Sequence, residues 1–238
     1  MSVGRLAIYA LSLLWLAACT SAPVQAPGPM LPKGPLHGRL DHGTFYDVRD
    51  WFSIASPYAP DDPGYPNLEV TEQYKQNISY VSFVPHLTSG EYYRVFVEDM
   101  YAENRPLGSL DDIADQIARY FQDQIVRERL EPIALVAERP WKTGATTGIL
   151  RLYTERVPSE LVMQDLGMAE DYTAYILVYV TLDKGKAAFI WMEWAEGCTV
   201  CAPLPPGPIA TGDDPLDKAL AANGRASAFM DSFHYGKD

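Results

Sequence analysis

The sequence predicts an α+β domain built on a central antiparallel sheet covered by helices on both faces. Three observations predict it. The segments Asp171–Leu182 and Lys186–Trp194 are rich in β-branched and aromatic residues, and Asp183-Lys184-Gly185 joins them with the chemistry of a tight hairpin. In the first segment Ala174, Ile176, Val178, Val180 and Leu182 share one face, and Thr173, Tyr175, Leu177, Tyr179 and Thr181 share the other. In the second, Ile190 and Met192 oppose Phe189 and Trp191, so both faces of the hairpin are largely apolar and both require cover. Outside the strands, helical periodicity follows Ser109 and precedes Phe233.

The elements follow in order. Phe45 to Ile54 reads as a strand or the opening of a hairpin, and the domain starts near Thr44. Pro57, Pro60, Pro63 and Pro66, with Asp61, Asp62 and Gly64, break regular structure and mark a loop. Strands are predicted at Leu68–Tyr74, Ile78–Val84 and Tyr92–Met100. Ser109 with Asp112 forms a capping box, with Asp in place of Glu, ahead of an apolar stripe of Leu110, Ile113, Ile117, Phe121 and Ile125. Arg127 and Arg129 suit the end of that helix, and Pro132 stops it. Strands at Ile133–Glu138 and Thr147–Val157 complete a four-strand antiparallel run with the hairpin. After a Pro-rich loop from Gly197 to Gly212, a helix runs from about Pro215 to Phe233. Asp213 or Asp214 caps it, Leu216, Leu220, Ala228 and Phe229 give its apolar contacts, and Gly224 is a point of breakage.

The composition is that of a globular chain: 238 residues, 47% hydrophobic and 21% charged, with a formal net charge of −12. Such an acidic chain repels phosphate backbones, which argues against nucleic acid as a partner. The first residues carry an address. One basic residue, Arg5, precedes the apolar run Leu6 to Leu16, too short to span a bilayer and the right size for a signal-peptide core. Leu16-Ala17-Ala18-Cys19 follows, and it resembles the lipobox of bacterial lipoproteins. The resemblance implies cleavage before Cys19, acylation of the Cys19 thiol and new amino terminus (palmitate among the acyl groups), and stable anchoring by more than one chain. Thr20 in the sorting position implies the outer membrane, facing the periplasm. Loss of residues 1–18 removes Arg5 and leaves a net charge of −13, so the lipid, not a basic patch, is expected to hold the membrane. Thr20 to Leu36 carries Pro23, Pro27, Pro29, Pro32 and Pro35 and reads as a semi-extended tether. Its 17 residues reach at most about 50 Å. The organisation expected is a signal peptide at 1–18, a lipidated cysteine and tether at 19–43, and one α+β domain at 44–238.

The order of elements, with the closing Ala228-Phe229-Met230-Asp231-Ser232-Phe233, resembles the PsbP-like αβα sandwich. That family includes an extrinsic photosystem subunit and a regulator that binds a small GTPase. The resemblance implies a domain that binds partners more often than it catalyses.

Chemistry-bearing residues are few. Cys198-Thr199-Val200-Cys201 is a C-x-x-C pair that reads as a structural disulfide in an oxidising envelope, with redox or metal chemistry as alternatives. Ala202-Pro203-Leu204-Pro205-Pro206 follows it and cannot start the helix that thioredoxin-like activation requires. His37, Asp41, His42 and Asp47 cluster in sequence, but without an element to fix them no metal site is assigned. No nucleophile elbow, P-loop, dinucleotide fingerprint or H-E-x-x-H is present, so no catalytic residue and no cofactor are expected. Strand tyrosines offer area with a polar tip, and Tyr153, Tyr175 and Tyr179 with Arg151 are the candidate binding face. The function expected is a non-enzymatic, envelope-anchored binding or assembly-accessory module with an envelope protein as partner. The alternatives are an envelope enzyme or thiol-redox protein using Cys198 and Cys201, or a small-ligand carrier.

Overall fold

A computed structural model describes residues 36–61, 68–85, 91–101, 109–116, 119, 133–144, 146–157, 172–196, 204–210 and 212–236. In chain order these hold β1 (Arg39–Asp41), β2 (Thr44–Tyr46), β3 (Phe52–Ala55), β4 (Leu68–Lys75), β5 (Ile78–Pro85), β6 (Tyr92–Asp99), β7 (Ala134–Thr143), β8 (Thr146–Val157), β9 (Tyr172–Asp183) and β10 (Lys186–Glu196). Then come α1 (Pro215–Ala222), α2 (Gly224–Asp231) and β11 (His234–Tyr235). Residues 110–116 are also helical.

Two antiparallel sheets result, a large one of seven strands in the order β4-β5-β6-β10-β9-β8-β7 and a small one of four in the order β1-β2-β3-β11. The β9–β10 hairpin turns where the sequence placed it. Lys184 (φ 44°) and Gly185 (φ 78°) both take the left-handed conformation, the geometry that matches the twist of two flanking strands. Asp183 pairs with Lys186, and the ladder runs unbroken to Thr173 opposite Glu196.

The main core lies between the sheets. Phe45, Phe52 and Ile54 point inward from the small sheet, and Leu216, Leu220, Phe229 and Met230 from α1 and α2. They meet Val95, Leu150, Leu177, Tyr179, Ile190 and Trp194 of the large sheet, all essentially buried. Each such side chain contributes about 1.5–3 kcal/mol relative to exposure. On the opposite face, Ile176, Val178, Val180, Phe189 and Trp191 pack with Ile113 and Ala114 from the helical segment 110–116.

This corrects the predicted fold class. The described chain is mostly strand, and the inner face of the large sheet is covered by a second antiparallel sheet together with two short helices. It is not an α+β sandwich with helices as the cover of both faces. Short segments such as Phe45 and Phe52 to Ile54 supply enough inward aromatic surface to act as a layer, which single-segment periodicity does not reveal. The final helix also divides. Asn223 interrupts it, caps α2 by accepting from the Ala226 amide at 3.1 Å, and leaves two helices of eight residues each. Of the two capping candidates for α1, Asp214 takes the role, accepting from the Leu216 amide at 2.8 Å. The Ser109–Asp112 capping box forms as read, with reciprocal bonds of 2.9 and 3.2 Å. β1 lies in the stretch read as tether, and Leu36 already packs against the core.

Buried polar groups fasten the layers. Glu91 receives the Tyr58 hydroxyl at 2.5 Å and also the Tyr93 hydroxyl, while Arg225 approaches it at 3.4 Å. Asn223 donates to the Tyr93 oxygen at 3.3 Å, so the cap of α2 and the start of β6 share one network. Arg139 of β7 grips α1 through Asp214 (2.6 Å) and Asp217 (2.5 Å). At the C-terminus the Tyr235 hydroxyl donates to the Thr181 and Lys186 carbonyls at 3.0 and 3.1 Å, locking β11 to the central hairpin.

Removing one member of a buried charged network strands its partners, at a cost of about 3–5 kcal/mol. Glu91→Ala is therefore expected to lower the unfolding free energy by about that much in urea titration. A change of about 1 kcal/mol or less would show that water replaces the carboxylate.

Candidate functional site

Side chains alternate along strands, so register decides which residues share a face. β6 pairs with β10 so that Tyr92 opposes Glu193 and Arg94 opposes Trp191. The four form a two-by-two block in the middle of the large sheet, on the face away from the small sheet, where direct neighbours lie about 5 Å apart and diagonals about 7–8 Å. The neighbouring β5 places Ser82 beside Arg94 and Tyr80 beside Phe96, and the Tyr80 and Phe96 rings are 4.5 Å apart.

The block is polar at its diagonal. Arg94 lies 5.3 Å from the Tyr92 ring centroid, and among the described residues no hydrogen bond or ion pair engages its guanidinium. Glu193 is half-buried and accepts from the Trp191 indole at 3.3 Å. Burial pushes its carboxyl above the ordinary range, while the Arg94 charge and the indole bond pull partly the other way. A cation and a carboxyl thus stand close on a semi-apolar surface, without pairing to each other, between an indole and a phenol. Such a surface can offer five donors from the guanidinium, acceptor sites from the carboxyl and two aromatic faces to one bound group.

The residues of the predicted binding face are not brought together. Arg151 and Tyr153 lie on the same face as the Tyr92–Glu193 block, but on β8, toward the far edge of the sheet. Arg151 is engaged by Glu138 of β7 and by Asp115 of the helical segment at 2.8 Å. Burial opposes its charge, but the Asp115, Glu138 and Tyr153 contacts outweigh that and hold the guanidinium protonated. It ties segment 110–116 to the sheet. Tyr175 and Tyr179 point to the opposite face, into the main core. Tyr175 stacks on Trp194 at 5.8 Å, and buried Tyr179 bonds through its hydroxyl to Thr146 at 3.2 Å. The four residues therefore form no common surface. Their strand positions already place Tyr175 and Tyr179 together, but the facing of β8 against β9 needs the register.

His37 meets the Tyr74 ring edge-on at 4.7 Å, while His42 pairs with Asp41 at 2.6 Å, so the histidines of the first turn point to different partners. Asp47 is buried and accepts from the Arg49 and Trp51 amides, which shapes the β2–β3 turn. Cys19, Cys198 and Cys201 lie outside the described residues. The Tyr92, Arg94, Trp191 and Glu193 block escaped the sequence reading. Its one signal was a glutamate on the same face as Phe189 and Trp191 in an otherwise apolar strand, and the partner strand could not be inferred.

Fold and site together describe a two-sheet, strand-rich domain with a mixed polar and aromatic block on the large sheet. The chain matches no family model and no curated protein. Among solved structures it is similar to cyanobacterial PsbP (CyanoP) from Synechocystis, with 15% identity over 81% of this chain and 91% of that one, at a TM-score of 0.45. It is also similar to the Ran-binding protein Mog1p of Saccharomyces cerevisiae, with 11% identity over 82% and 96% of the two chains, at a TM-score of 0.40. These are the PsbP-like and Mog1 structures whose element order the sequence resembles.

Because the Glu193 carboxyl is raised in the folded state above its ordinary 4.5, folding favours the protonated form. Its contribution is fully present below pH 4.5 and is lost as pH rises through the folded value. Glu193→Gln removes that loss. The variant is expected to gain stability relative to the parent as pH rises from 4.5 toward neutrality, read by thermal midpoints across pH. Parallel profiles for the two proteins would show that Glu193 ionises freely.

Proposed function

We propose that this chain is a lipid-anchored envelope protein, held at the outer membrane through Cys19 and facing the periplasm. Its folded domain is a non-enzymatic binding or assembly-accessory module. The anchor is supported by the sequence Leu16-Ala17-Ala18-Cys19 and the apolar run before it. The single observation that carries the binding role is the block on the large sheet, in which Arg94 and Glu193 stand near each other without pairing, flanked by Tyr92 and Trp191. Arginine, tyrosine and tryptophan are the residues that dominate protein interfaces, because each joins a large contact area to directional polar groups. A polypeptide surface supplies a carboxylate or carbonyl for Arg94 and an amide or ammonium for Glu193.

The test is a crosslinked pull-down of the tagged protein from intact cells, compared with Arg94→Glu. One recurrent envelope partner at near-stoichiometric yield is expected for the parent. The charge reversal at the block is expected to reduce that yield by tenfold or more, equivalent to at least about 1.4 kcal/mol, with an unchanged circular dichroism spectrum. Equal capture by both proteins would remove the block from the interface, and no partner for either would overturn the binding role.

A further inference from the structure

We infer that the corner where the N-terminal segment joins the domain docks onto a phospholipid headgroup surface, through a row of aromatic and basic side chains centred on Tyr74. The inference rests on the lipid anchor of the proposed function, and concerns how the domain sits once anchored.

The joining point is fixed. The His37 and Gly38 amides donate to the Glu72 carboxylate at 2.5 and 2.9 Å, so the chain enters the domain against β4. That contact places the His37 ring on Tyr74. Arg49 lies 5.2 Å from the Tyr74 ring and 4.4 Å from the Trp51 ring. Arg49 is held there by its bonds to the Lys75 and Gln76 carbonyls, and it acts as the spacer that spreads the two rings. Two residues beyond His37, Arg39 covers Tyr46 at 4.3 Å. Tyr74 is 44% exposed, Val48 on the adjacent turn 46%, and the Arg39 side chain 63%.

The chemistry of the row selects the occupant. Indole and phenol rings, with an apolar body and a polar tip, favour the membrane–water boundary, and the exposed Arg39 guanidinium, paired through one nitrogen with Asp41, keeps further donors for phosphate oxygens. The whole chain carries −12, yet the corner is close to balance, with Arg39, Arg49 and Lys75 against Asp41, Asp50, Glu72 and the buried Asp47. Charges beyond a Debye length of about 8 Å are screened, so the corner meets a headgroup layer without the repulsion that the rest of the domain would feel. Contact area and phosphate bonding drive the docking, and anionic lipid is not required. The affinity needed is small. Thr20–Leu36, read as a tether of 17 residues, confines the corner to an effective concentration of about 1 mM near the membrane, so a dissociation constant of that order suffices.

The test uses the mature chain from residue 19 with Cys19→Ser, so that no acyl group contributes. Co-sedimentation is measured with vesicles of phosphatidylcholine, with and without phosphatidylglycerol, and tryptophan quenching with brominated lipid. Weak binding to both vesicle types is expected, with quenching that Trp51→Ala reduces. Tyr74→Asp is expected to weaken binding by tenfold or more. Arg39→Gln, which removes the charge but keeps a long side chain over Tyr46, is expected to weaken it several-fold. No binding by the parent, equal binding by Tyr74→Asp and Arg39→Gln, or binding only with phosphatidylglycerol would overturn the inference. The anchor is read separately, by palmitate incorporation into the unaltered chain. Incorporation without vesicle binding overturns the docking alone, and vesicle binding without incorporation upholds the docking surface and overturns the anchor.

Discussion

The pairing of β9 with β10 is the constraint from which the rest of the structure follows. The two strands are long, tightly joined and apolar on both faces, and so cannot stop at a hairpin. β6 and β8 complete their hydrogen bonds at either side, and each face of the resulting sheet must be withdrawn from water. The inner face recruits the small sheet, α1 and α2 around Trp194, Tyr179 and Ile190. The outer face recruits residues 110–116 around Ile176, Val178 and Trp191. Gly148 follows from the same constraint, because a Cβ there would lie 2.1 Å from the Val180 carbonyl oxygen and 2.6 Å from the Tyr179 ring.

Covering two faces with short elements leaves many polar groups near apolar surface, and the structure settles most of them in pairs across layers. Glu91 gathers two tyrosine hydroxyls and Arg225, Arg139 takes Asp217 of α1 and its cap Asp214, and Arg151 joins Glu138 to Asp115. Most of these contacts span elements distant in the chain, the exceptions being Glu91 with Tyr93 and Glu138 with Arg151. Such groups contribute modestly to net stability, but a missing partner is costly, so they fix which layers meet and in what register. Against this background the Arg94 and Glu193 side chains differ, since one lacks an engaged guanidinium among the described residues and the other has a single indole bond. That difference is what supports the proposed recognition role.

The two surfaces proposed for interaction are chemically distinct. The block on β6 and β10 pairs a cation with a carboxyl and suits a partner of mixed polarity. The Tyr74 corner is a row of rings spaced by bases and suits an interface between water and lipid. A chain held at its N-terminus and docked by that corner would have its orientation constrained, which would in turn limit where the sheet face could point.

The sequence by itself determined the local events. Alternation gave most strands of the large sheet, though β7 runs on past Glu138 and β1 and β11 fall outside the predicted strands; Asp183-Lys184-Gly185 gave the hairpin, Ser109 with Asp112 and Asp214 gave helix starts, and Leu16-Ala17-Ala18-Cys19 gave the expected address. These are legible because each depends on residues within a turn or two of one another. Tertiary structure decided what covers what. Phe45, Phe52 and Ile54 become a layer only when β11 returns from the far end of the chain to pair with β3. The proposed binding face of Tyr153, Tyr175, Tyr179 and Arg151 separates because β8 presents Tyr153 and Arg151 outward, while β9 turns its tyrosines into the core. The block of Tyr92, Arg94, Trp191 and Glu193 exists only through the register of β6 on β10, two strands nearly a hundred residues apart. Register between distant strands is set by the summed burial of whole faces, a quantity that no local pattern carries.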